Sequence, residues 1–233
     1  MHICAKAALL ALALGGGALP SVATAQDIST ANAGEPPAHA NAVADQVQLS
    51  SEPVAQVTSW VLGSGDNGGL PFIVIDKVAA DVFVFNAQGQ LVGATPALLG
   101  LTPGDDSTPG VGDRELSAIS PKDRTTPAGR FVAKFGTASG SRKVLWVDYA
   151  TAISLHPVIT SNKKERRLQR LKSPSADDNR ITFGCINVPA SFYAKVVRPL
   201  FNRTIGVVYI LPETKPLNEV FLAFRVPAQA GPH

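Results

Sequence analysis

Short apolar runs separated by turn-forming residues dominate the chain from about residue 70 onward. Phe72–Asp76 is the first run, and Asp81–Phe85 continues the strand pattern. Asn86–Gly89 has the residue types of a tight turn, and Gln90–Ala94 begins the next strand. β-Branched and aromatic residues bounded by Gly, Asn and Asp are typical of strands and the turns that join them. This region is therefore predicted to form a β-hairpin or meander.

Further apolar runs follow, and one segment has a helical pattern instead. The runs cover residues 130–135, 144–149, 152–155 and 204–211. The last of these is almost wholly apolar and β-branched, which predicts a central strand. Pro189–Val197 places Phe192 and Val196 on one helical face, and Pro199 is expected to end or kink that helix. The predicted fold is mostly β with one or two short helices, in a closed or strongly bent sheet similar to a β-sandwich.

Two stretches lack the strand pattern. Residues 102–129 are dense in Gly, Pro, Asp and Ser, which predicts a long surface excursion with a few ordered turns. From 163 to 172, six of ten residues are Lys or Arg, and Leu168 and Leu171 are three positions apart. That spacing allows a short basic helix. The segment is either a solvated surface insertion or a lid over an anionic substrate.

The N-terminal residues have the pattern of a secretory leader. A single Lys6 precedes an apolar run that Pro20 ends, and Ala23–Ala25 provides small residues for cleavage. The apolar run is shorter than the roughly 20 residues that a membrane-spanning helix needs. We therefore expect residues 1–25 to be removed, with no membrane span afterwards, rather than kept as an anchor. The mature protein is expected outside the cytoplasm.

Composition divides the remaining chain into three parts. Residues from 26 to about 58 are rich in Ala, Ser, Pro and Asn, and 26–69 as a whole are predicted to be a flexible tether. The folded domain is predicted over 70–212, and 213–233 form a C-terminal extension with one weak apolar stretch. The net charge of +3 is too small to indicate a nucleic-acid partner.

Cysteine and histidine usage narrows the candidate chemistry. Once the leader with Cys4 is removed, Cys185 is the remaining thiol. Such a cysteine in an oxidising compartment is buried and inert, paired with another chain, or a reactive nucleophile. A nucleophile needs a base, and His156 is the only histidine within the predicted domain. The chain has no Cys/His cluster with the spacing of metal ligands, so we expect no metal site.

Around these two residues the chain resembles the L,D-transpeptidase (YkuD-like) catalytic domain. The family pattern is a histidine after a strand, then Ser/Thr-His-Gly-Cys, a hydrophobic residue and Asn or Arg. His156 and Thr182–Asn187 hold these places. Thr126–Phe131 is similar to the family's Thr-Pro-x-Gly-x-Phe turn, and residues 73–85 are similar to its opening hairpin. The likeness covers roughly residues 70 to 212.

The resemblance implies a role for each site residue. Cys185 would be the nucleophile and His156 the general base, with the Pro157 carbonyl orienting its ring. Backbone N–H groups near Gly184 and Cys185 would form the oxyanion hole. The substrate-binding positions implied by the same motif are Thr182, Phe183, Asn187 and Arg180. Arg180 either meets a substrate carboxylate or pins the loop to Asp177 or Asp178.

The same resemblance implies a reaction. The donor is a peptidoglycan tetrapeptide stem, attacked at its third residue, a diamino acid. A thioester forms with loss of D-alanine, and the acyl group passes to an amine of another stem, a free D-amino acid or a wall protein. No cofactor is implied. An enzyme of this kind serves cell-wall biosynthesis and cell shape, and the periplasm is the expected compartment.

Two departures from the family pattern keep alternatives open. Phe183 stands where the family usually has a second histidine, and Phe can form no hydrogen bond through its side chain. Cys185 also lies 29 positions after His156, a longer gap than is usual in the family, so residues 161–178 should be an insertion beside the site. The alternatives are a hydrolase of the same family, an L,D-carboxypeptidase or endopeptidase, and a degenerate module that only binds wall peptides. A papain-like peptidase is disfavoured because its cysteine precedes its histidine.

Overall fold

The computed structural model of the chain describes residues 51–138 and 142–224. The predicted leader and the first half of the predicted tether lie outside these residues. The strands, in chain order, are β1 Phe72–Asp76, β2 Asp81–Phe85, β3 Leu91–Pro96, β4 Leu99–Gly100, β5 Gly129–Thr137, β6 Lys143–Asp148, β7 Ile153–Pro157, β8 Arg180–Thr182, β9 Ile186–Val188 and β10 Gly206–Ile210. The α-helices are α1 Glu52–Ser64, α2 Arg167–Arg170, α3 Ala190–Phe192, α4 Arg198–Phe201 and α5 Leu217–Val220.

A single eight-stranded sheet dominates the fold, with the order β3-β2-β1-β10-β5-β6-β7-β9. The sheet is bent and nearly closed, which confirms the predicted mostly β fold class with a few short helices. Within this sheet, β1–β10 and β7–β9 are parallel pairs. β1, β2 and β3 form the predicted meander through antiparallel pairing. A short parallel pair of β4 and β8 lies apart from the main sheet.

Both faces of β1 are buried, because each faces its own hydrophobic cluster. Ile73 and Ile75 belong to one cluster, whereas Phe72 and Val74 belong to the other. Successive side chains of a strand point to opposite faces, so a strand covered on both sides has a continuous apolar sequence. On the second face Phe72 stacks on Phe85 with ring centroids 4.7 Å apart. The unbroken apolar run of β1 is therefore a consequence of its central position.

Helix α1 corrects the predicted extent of the tether, since residues 51–69 are ordered. Val54, Val57 and Val61 are buried on one face of this helix and pack in the second hydrophobic cluster. A proline in the first turn and Gly65 at the C-cap, with φ of 68°, are typical helix boundaries. The three valines do repeat at helical spacing, but the residues around them are mostly polar or small. The prediction failed because it followed this composition, which is typical of a tether. Burial of these valines against the sheet stabilises the helix, and the composition of the segment does not indicate this contribution.

The segment after residue 212 is also part of the domain rather than a separate extension. Phe221 and Phe224, which follow α5, are 3% and 4% exposed. Their rings lie 6.0 and 5.8 Å from the ring of Trp60 in α1, measured between centroids. The two ends of the described chain therefore cover the same face of the sheet. The domain spans at least 51–224, with the region 102–128 containing the short 3₁₀ turns expected of a surface excursion.

Pro199 does not end the predicted helix after Pro189. Helix α3 continues through a π-helical turn, Tyr193–Val197, into α4, in which the proline occupies the first turn. A proline cannot donate a backbone hydrogen bond, and a π-type turn accommodates the missing donor without stopping the helix. Tyr193 and Val197 of this turn are buried in the first cluster.

Candidate active site

Cys185 lies in the turn that joins β8 to β9, and its thiol is half-buried. The preceding Gly184 has a φ of 122°, a backbone conformation that favours glycine. A Cβ at this position would lie 2.6 Å from Ile153 Cδ1 and 2.7 Å from the Thr125 carbonyl oxygen. Both the dihedral angle and the close backbone approach therefore require glycine before the cysteine.

Two buried threonine hydroxyls hold the cysteine turn in place. Thr126 Oγ1 donates to the Gly184 carbonyl at 2.8 Å and accepts from Gly100 N at the same distance. Thr182 Oγ1 donates to the Cys185 carbonyl at 2.7 Å and accepts from Gly184 N at 3.1 Å. The Gly184 N–H is thus engaged, whereas the Cys185 N–H has no hydrogen-bond partner among the described residues. Of the two predicted oxyanion donors, the Cys185 N–H is the available one.

The thiol of Cys185 contacts β7 rather than the imidazole. Sγ lies 3.6 Å from Ser154 Oγ and 3.6 Å from the Ala152 carbonyl oxygen. Ser154 and His156 are two positions apart on β7, so their side chains share one face of the sheet. Within the described residues, the ring nitrogens of His156 bond to groups other than Sγ. Ser154, which shares a face of β7 with His156, is therefore the side chain that contacts the sulfur.

The His156 ring is fixed by a directional chain of hydrogen bonds. Arg167 Nη1 donates to Asn187 Oδ1 at 2.7 Å, and Asn187 Nδ2 lies 3.1 Å from His156 Nε2. His156 Nδ1 lies 2.9 Å from the Pro157 carbonyl oxygen. Because arginine can only donate and a carbonyl can only accept, both ends of the chain set its direction. The chain requires the tautomer in which Nδ1 carries the proton and Nε2 accepts from Asn187.

The same environment keeps His156 neutral. Burial of the ring lowers the pKa of His156 below its ordinary value of 6.5, and the charges of Arg142 and Arg167 lower it further. The hydrogen bond to Pro157 acts in the opposite direction but does not prevail. Protonation would also place an N–H of the imidazolium against an N–H of the Asn187 amide. The neutral imidazole, which can accept a proton, is the favoured form.

The basic segment contacts the site through its short helix. α2 occupies part of the predicted basic helix, and Arg167 at its start reaches Asn187. The guanidinium also pairs with Glu165, with Nε to Oε2 at 2.5 Å, and the Arg167 side chain is 12% exposed. An insertion beside the site was predicted, and its Arg167 is the residue that connects it to the imidazole.

Phe183, on the cysteine turn, contacts an arginine from another part of the protein. The guanidinium carbon of Arg124 lies 4.0 Å from the centroid of the Phe183 ring. Arg124 is itself held by the Ile119 carbonyl, to which Nε and Nη2 donate at 3.1 and 3.0 Å. A cation over an aromatic face is attractive, so the ring joins the excursion before β5 to the cysteine turn. Phe183 thus makes a cation–π contact with Arg124 at the position where the sequence resemblance predicted a histidine.

Arg180 is committed to an ion pair away from the thiol. Its Nη2 donates to Glu213 Oε2 and, at 2.7 Å, to the Lys77 carbonyl. Its side chain is 11% exposed. Of the predicted partners within the protein, neither Asp177 nor Asp178 is therefore the one that Arg180 contacts. Arg180 holds β8 against the segment that follows β10.

Lys77 and Asp105 extend this ion pair into the interior. Lys77 Nζ lies 2.7 Å from Asp105 Oδ1 and 3.4 Å from Glu213 Oε1, and its side chain is 0% exposed. Asp105 also accepts from the backbone N–H groups of Glu213 and Thr214. Burial alone would raise the pKa of Asp105, but the hydrogen bonds from Lys77 and Thr214 hold it well below its usual range. Lys77 Nζ also donates to the Thr126 carbonyl at 3.0 Å, which links the network to the cysteine turn.

Apart from Phe183 and Arg180, the predicted site residues fall into two groups. In the first group, Gly184 precedes Cys185 in the turn, Ser154 connects the Cys185 thiol to the face of β7 that carries His156, and the Pro157 carbonyl lies against His156 Nδ1. Thr182 and Asn187 are 2% and 1% exposed and bond within the protein, so they support the site instead of facing a substrate. Sequence reasoning missed Ser154 and the role of Arg167. The two-residue repeat of β7 was the available signal for Ser154, whereas nothing local indicated that Arg167 reaches Asn187.

No group of three or more His, Cys, Asp or Glu side chains suited to a metal ion occurs among residues 51–138 and 142–224. In the same part of the chain, no helix combines the length and apolar character required to cross a membrane.

Solved structures similar to this chain include L,D-transpeptidase catalytic domains. The catalytic domain of the E. faecium L,D-transpeptidase aligns over 60% of this chain and 95% of its own, at 15% identity and a TM-score of 0.36. An L,D-transpeptidase of Xylanimonas cellulosilytica aligns over 61% of this chain and 60% of its own, at 14% identity and a TM-score of 0.36. The helical cell shape determining protein Pgp2 of Campylobacter jejuni aligns over 63% and 48%, at 12% identity and a TM-score of 0.41.

This chain thus spans less than two thirds of the length of the second and third of these structures. No family model matches the sequence. No curated protein matches it either. The function of the chain is therefore argued from its own residues.

Proposed function

We propose that this chain is an exported cysteine acyltransferase that acts on the peptide stems of the bacterial cell wall, with the chemistry of an L,D-transpeptidase. The observation that carries the proposal is the shared face of β7 and the cysteine turn, where Ser154 contacts Cys185 and Asn187 contacts His156. A thiol, a neutral imidazole of fixed tautomer and an available backbone N–H are the components of nucleophilic acyl transfer. The motifs at Thr126–Phe131 and Thr182–Asn187 support the family assignment.

The proposed reaction has two half-reactions. The Cys185 thiolate adds to the carbonyl carbon of the diamino acid at the third position of the stem, and the Cys185 N–H donates to the resulting oxyanion. Collapse of this intermediate breaks the amide bond, and D-alanine leaves after its amine takes up a proton. An amine acceptor then attacks the thioester, loses a proton and releases the thiol. Transfer to water instead of an amine would make the enzyme an L,D-carboxypeptidase.

The proton route follows the contacts on β7. Ser154 Oγ is the side-chain oxygen next to Sγ, so the proton leaves the thiol in a concerted relay, in which Ser154 Oγ takes up the thiol proton as its own hydroxyl proton moves on to His156. His156 lies two positions further along the strand and accepts the proton at Nε2 when Asn187 Nδ2 gives up its hydrogen bond. The neutral state of His156 leaves this nitrogen able to act as a base near neutral pH.

One observation favours a second candidate, a module that binds wall peptides without turning them over. His156 Nε2 is occupied by Asn187, and Sγ bonds to Ser154 and Ala152. If that arrangement persists with a peptide bound, the imidazole does not receive the thiol proton. The two candidates differ in whether any product forms.

The experiment is mass spectrometry of products after residues 26–233 are incubated with disaccharide-tetrapeptide, beside the Cys185→Ala variant. Cross-linked dimers or exchange of the terminal D-amino acid in the wild type alone support transpeptidation. Tripeptide alone indicates the hydrolase. If both proteins bind the stem and neither forms a product, the result supports the binding module.

A further inference from the structure

A basic cavity lies beside the candidate active site, on the segment between β7 and β8. Its volume is about 410 Å³. The lining residues are Thr160, Asn162, Lys163, Arg166, Arg167, Leu168 and Gln169. Three of these carry positive charge, and Leu168 is the one aliphatic side chain among them. A cavity of this kind suits a small anion that has a short aliphatic portion.

Two of its cations have no side-chain partner among residues 51–138 and 142–224. Lys163 and Arg166 are exposed, and neither side chain forms a hydrogen bond or ion pair with the described residues. The nearby carboxylate of Glu165 is already paired with Arg167. The positive charge of Lys163 and Arg166 is therefore available to a ligand.

The backbone conformation presents one of these cations. Arg166 has a φ of 51°, in the left-handed region that non-glycine residues rarely adopt. It joins the 3₁₀ turn Lys163–Glu165 to α2, and its backbone carbonyl accepts from Gln169 N at 2.9 Å and Arg170 N at 3.0 Å. Glycine would adopt this backbone conformation with less strain. The presence of arginine at this position is therefore not explained by the backbone, and its side chain needs another role.

The cavity connects to the imidazole through a wall residue. Arg167 lines the cavity and donates to Asn187 Oδ1, and Asn187 in turn bonds to His156 Nε2. In the proposed reaction the terminal D-alanine leaves from the amide next to His156, and its carboxylate is within one residue of that amide. A free carboxylate, a small methyl side chain and proximity to His156 are the features that this cavity matches.

We infer that the cavity around Lys163 and Arg166 binds the C-terminal carboxylate of the donor peptide. The inference rests on the proposed function, because it takes the leaving residue from that reaction. Arg166 and Lys163 contact the carboxylate, Leu168 contacts the alanine methyl group, and Arg167 connects the bound terminus to Asn187 and His156. The basic segment thereby selects stems that end in a free carboxylate.

The test measures binding without turnover, in residues 26–233 carrying Cys185→Ala. The probes are a tetrapeptide stem with a free C-terminal carboxylate and the same stem with a C-terminal amide, titrated by calorimetry. Adding Arg166→Gly suits the left-handed backbone and should weaken binding of the acid about tenfold, with little effect on the amide. Lys163→Ala should act in the same direction. Lys195→Ala, which removes an exposed cation elsewhere, should leave both affinities unchanged.

Three binding results would overturn the inference. They are equal binding of the acid by parent and variants, equal weakening of acid and amide, and no binding of either peptide by the parent. Turnover by wild-type Cys185 is measured separately with the same stem. Cross-linking that persists at parental KM in the Arg166→Gly protein would reject the carboxylate site while the proposed function stands.

Discussion

Asn187 donates a hydrogen bond to Nε2 of His156 across the parallel pairing of β7 and β9, with a nitrogen–nitrogen distance of 3.1 Å. The two residues are register partners, so the contact follows directly from the sheet. Asn187 cannot rotate its amide without losing its bond from Arg167, which can only donate. The side chain at 187 thereby selects the tautomer of the candidate base.

Asn187→Asp tests this control of the imidazole. A carboxylate cannot donate to Nε2, so the imidazolium becomes favoured and the pKa of His156 should rise. Removing the neutral base should lower kcat by at least about 100-fold. NMR titration of the His156 ring measures the first effect, and steady-state kinetics measures the second. Asn202→Asp introduces the same charge at an exposed position and should change neither quantity. An unaltered titration in Asn187→Asp would show that the amide does not control the ring.

The lowered pKa of His156 predicts the direction of two pH dependences. Below about 6.5 the unfolded chain takes up the histidine proton before the folded protein does, so stability should decrease as pH falls through this window. Activity should follow an acid limb that lies below 6.5, because the base must be neutral. Urea unfolding of wild type and His156→Gln at pH 8 and pH 5 isolates the contribution to stability. A larger loss of stability in the variant than in the wild type would contradict this sign.

Gly184→Ala should damage the cysteine turn through a clash as well as an unfavourable dihedral angle. The added Cβ would meet the Thr125 carbonyl, which cannot move away as a side chain could. We expect a loss of about 2–4 kcal/mol in the free energy of unfolding. Gly110→Ala is the matched control, because Gly110 has a φ of 70° but no atom within 4 Å of an added Cβ. That control should lose only about 1–2 kcal/mol. Equal losses would mean that the close approach at Gly184 contributes nothing.

Glu213→Ala should reveal the cost of leaving buried cations unpaired. Glu213 pairs with Arg180 and lies 3.4 Å from Lys77, and all three side chains are buried or nearly so. Removing one member of such a group costs about 3–5 kcal/mol. Chemical denaturation measures the loss, and the exposed Glu219→Ala should stay within about 0.5 kcal/mol of the wild type. A small effect at Glu213 would mean that Asp105 is sufficient for Lys77 and the Lys77 carbonyl for Arg180.

The sequence predicted the parts of the fold that repeat at strand spacing. β1, β2 and β10 are continuous apolar runs because both of their faces are covered, and such runs are visible without a structure. Helix α1 was missed because its apolar face consists of valines spaced among polar and small residues. Phe221 and Phe224 were placed outside the domain, because a weak apolar stretch near the end of a chain does not reveal the helix face that it covers.

The residues of the candidate site that could be predicted are those whose chemistry depends only on their own identity. The thiol of Cys185, the imidazole of His156 and the glycine at 184 could each be inferred from residue identity and motif. The contacts that fix them depend on register. Asn187 meets His156, and Ser154 meets Cys185, because β7 and β9 pair in parallel over a long loop. Local sequence patterns do not give the register of such non-local strand pairs. They also do not show that Arg167 of α2 contacts Asn187.

The most direct test of the central claim is the intact mass of the protein during turnover. Residues 26–233 are mixed with tetrapeptide stem in the absence of an added acceptor, quenched in acid and compared with the Cys185→Ala variant. We predict that the wild type gains the mass of the acyl tripeptide, that proteolytic mapping locates the adduct at Cys185, and that the variant gains nothing. Turnover by the Cys185→Ala variant, or an adduct located at another residue, would contradict the assignment of Cys185 as the nucleophile.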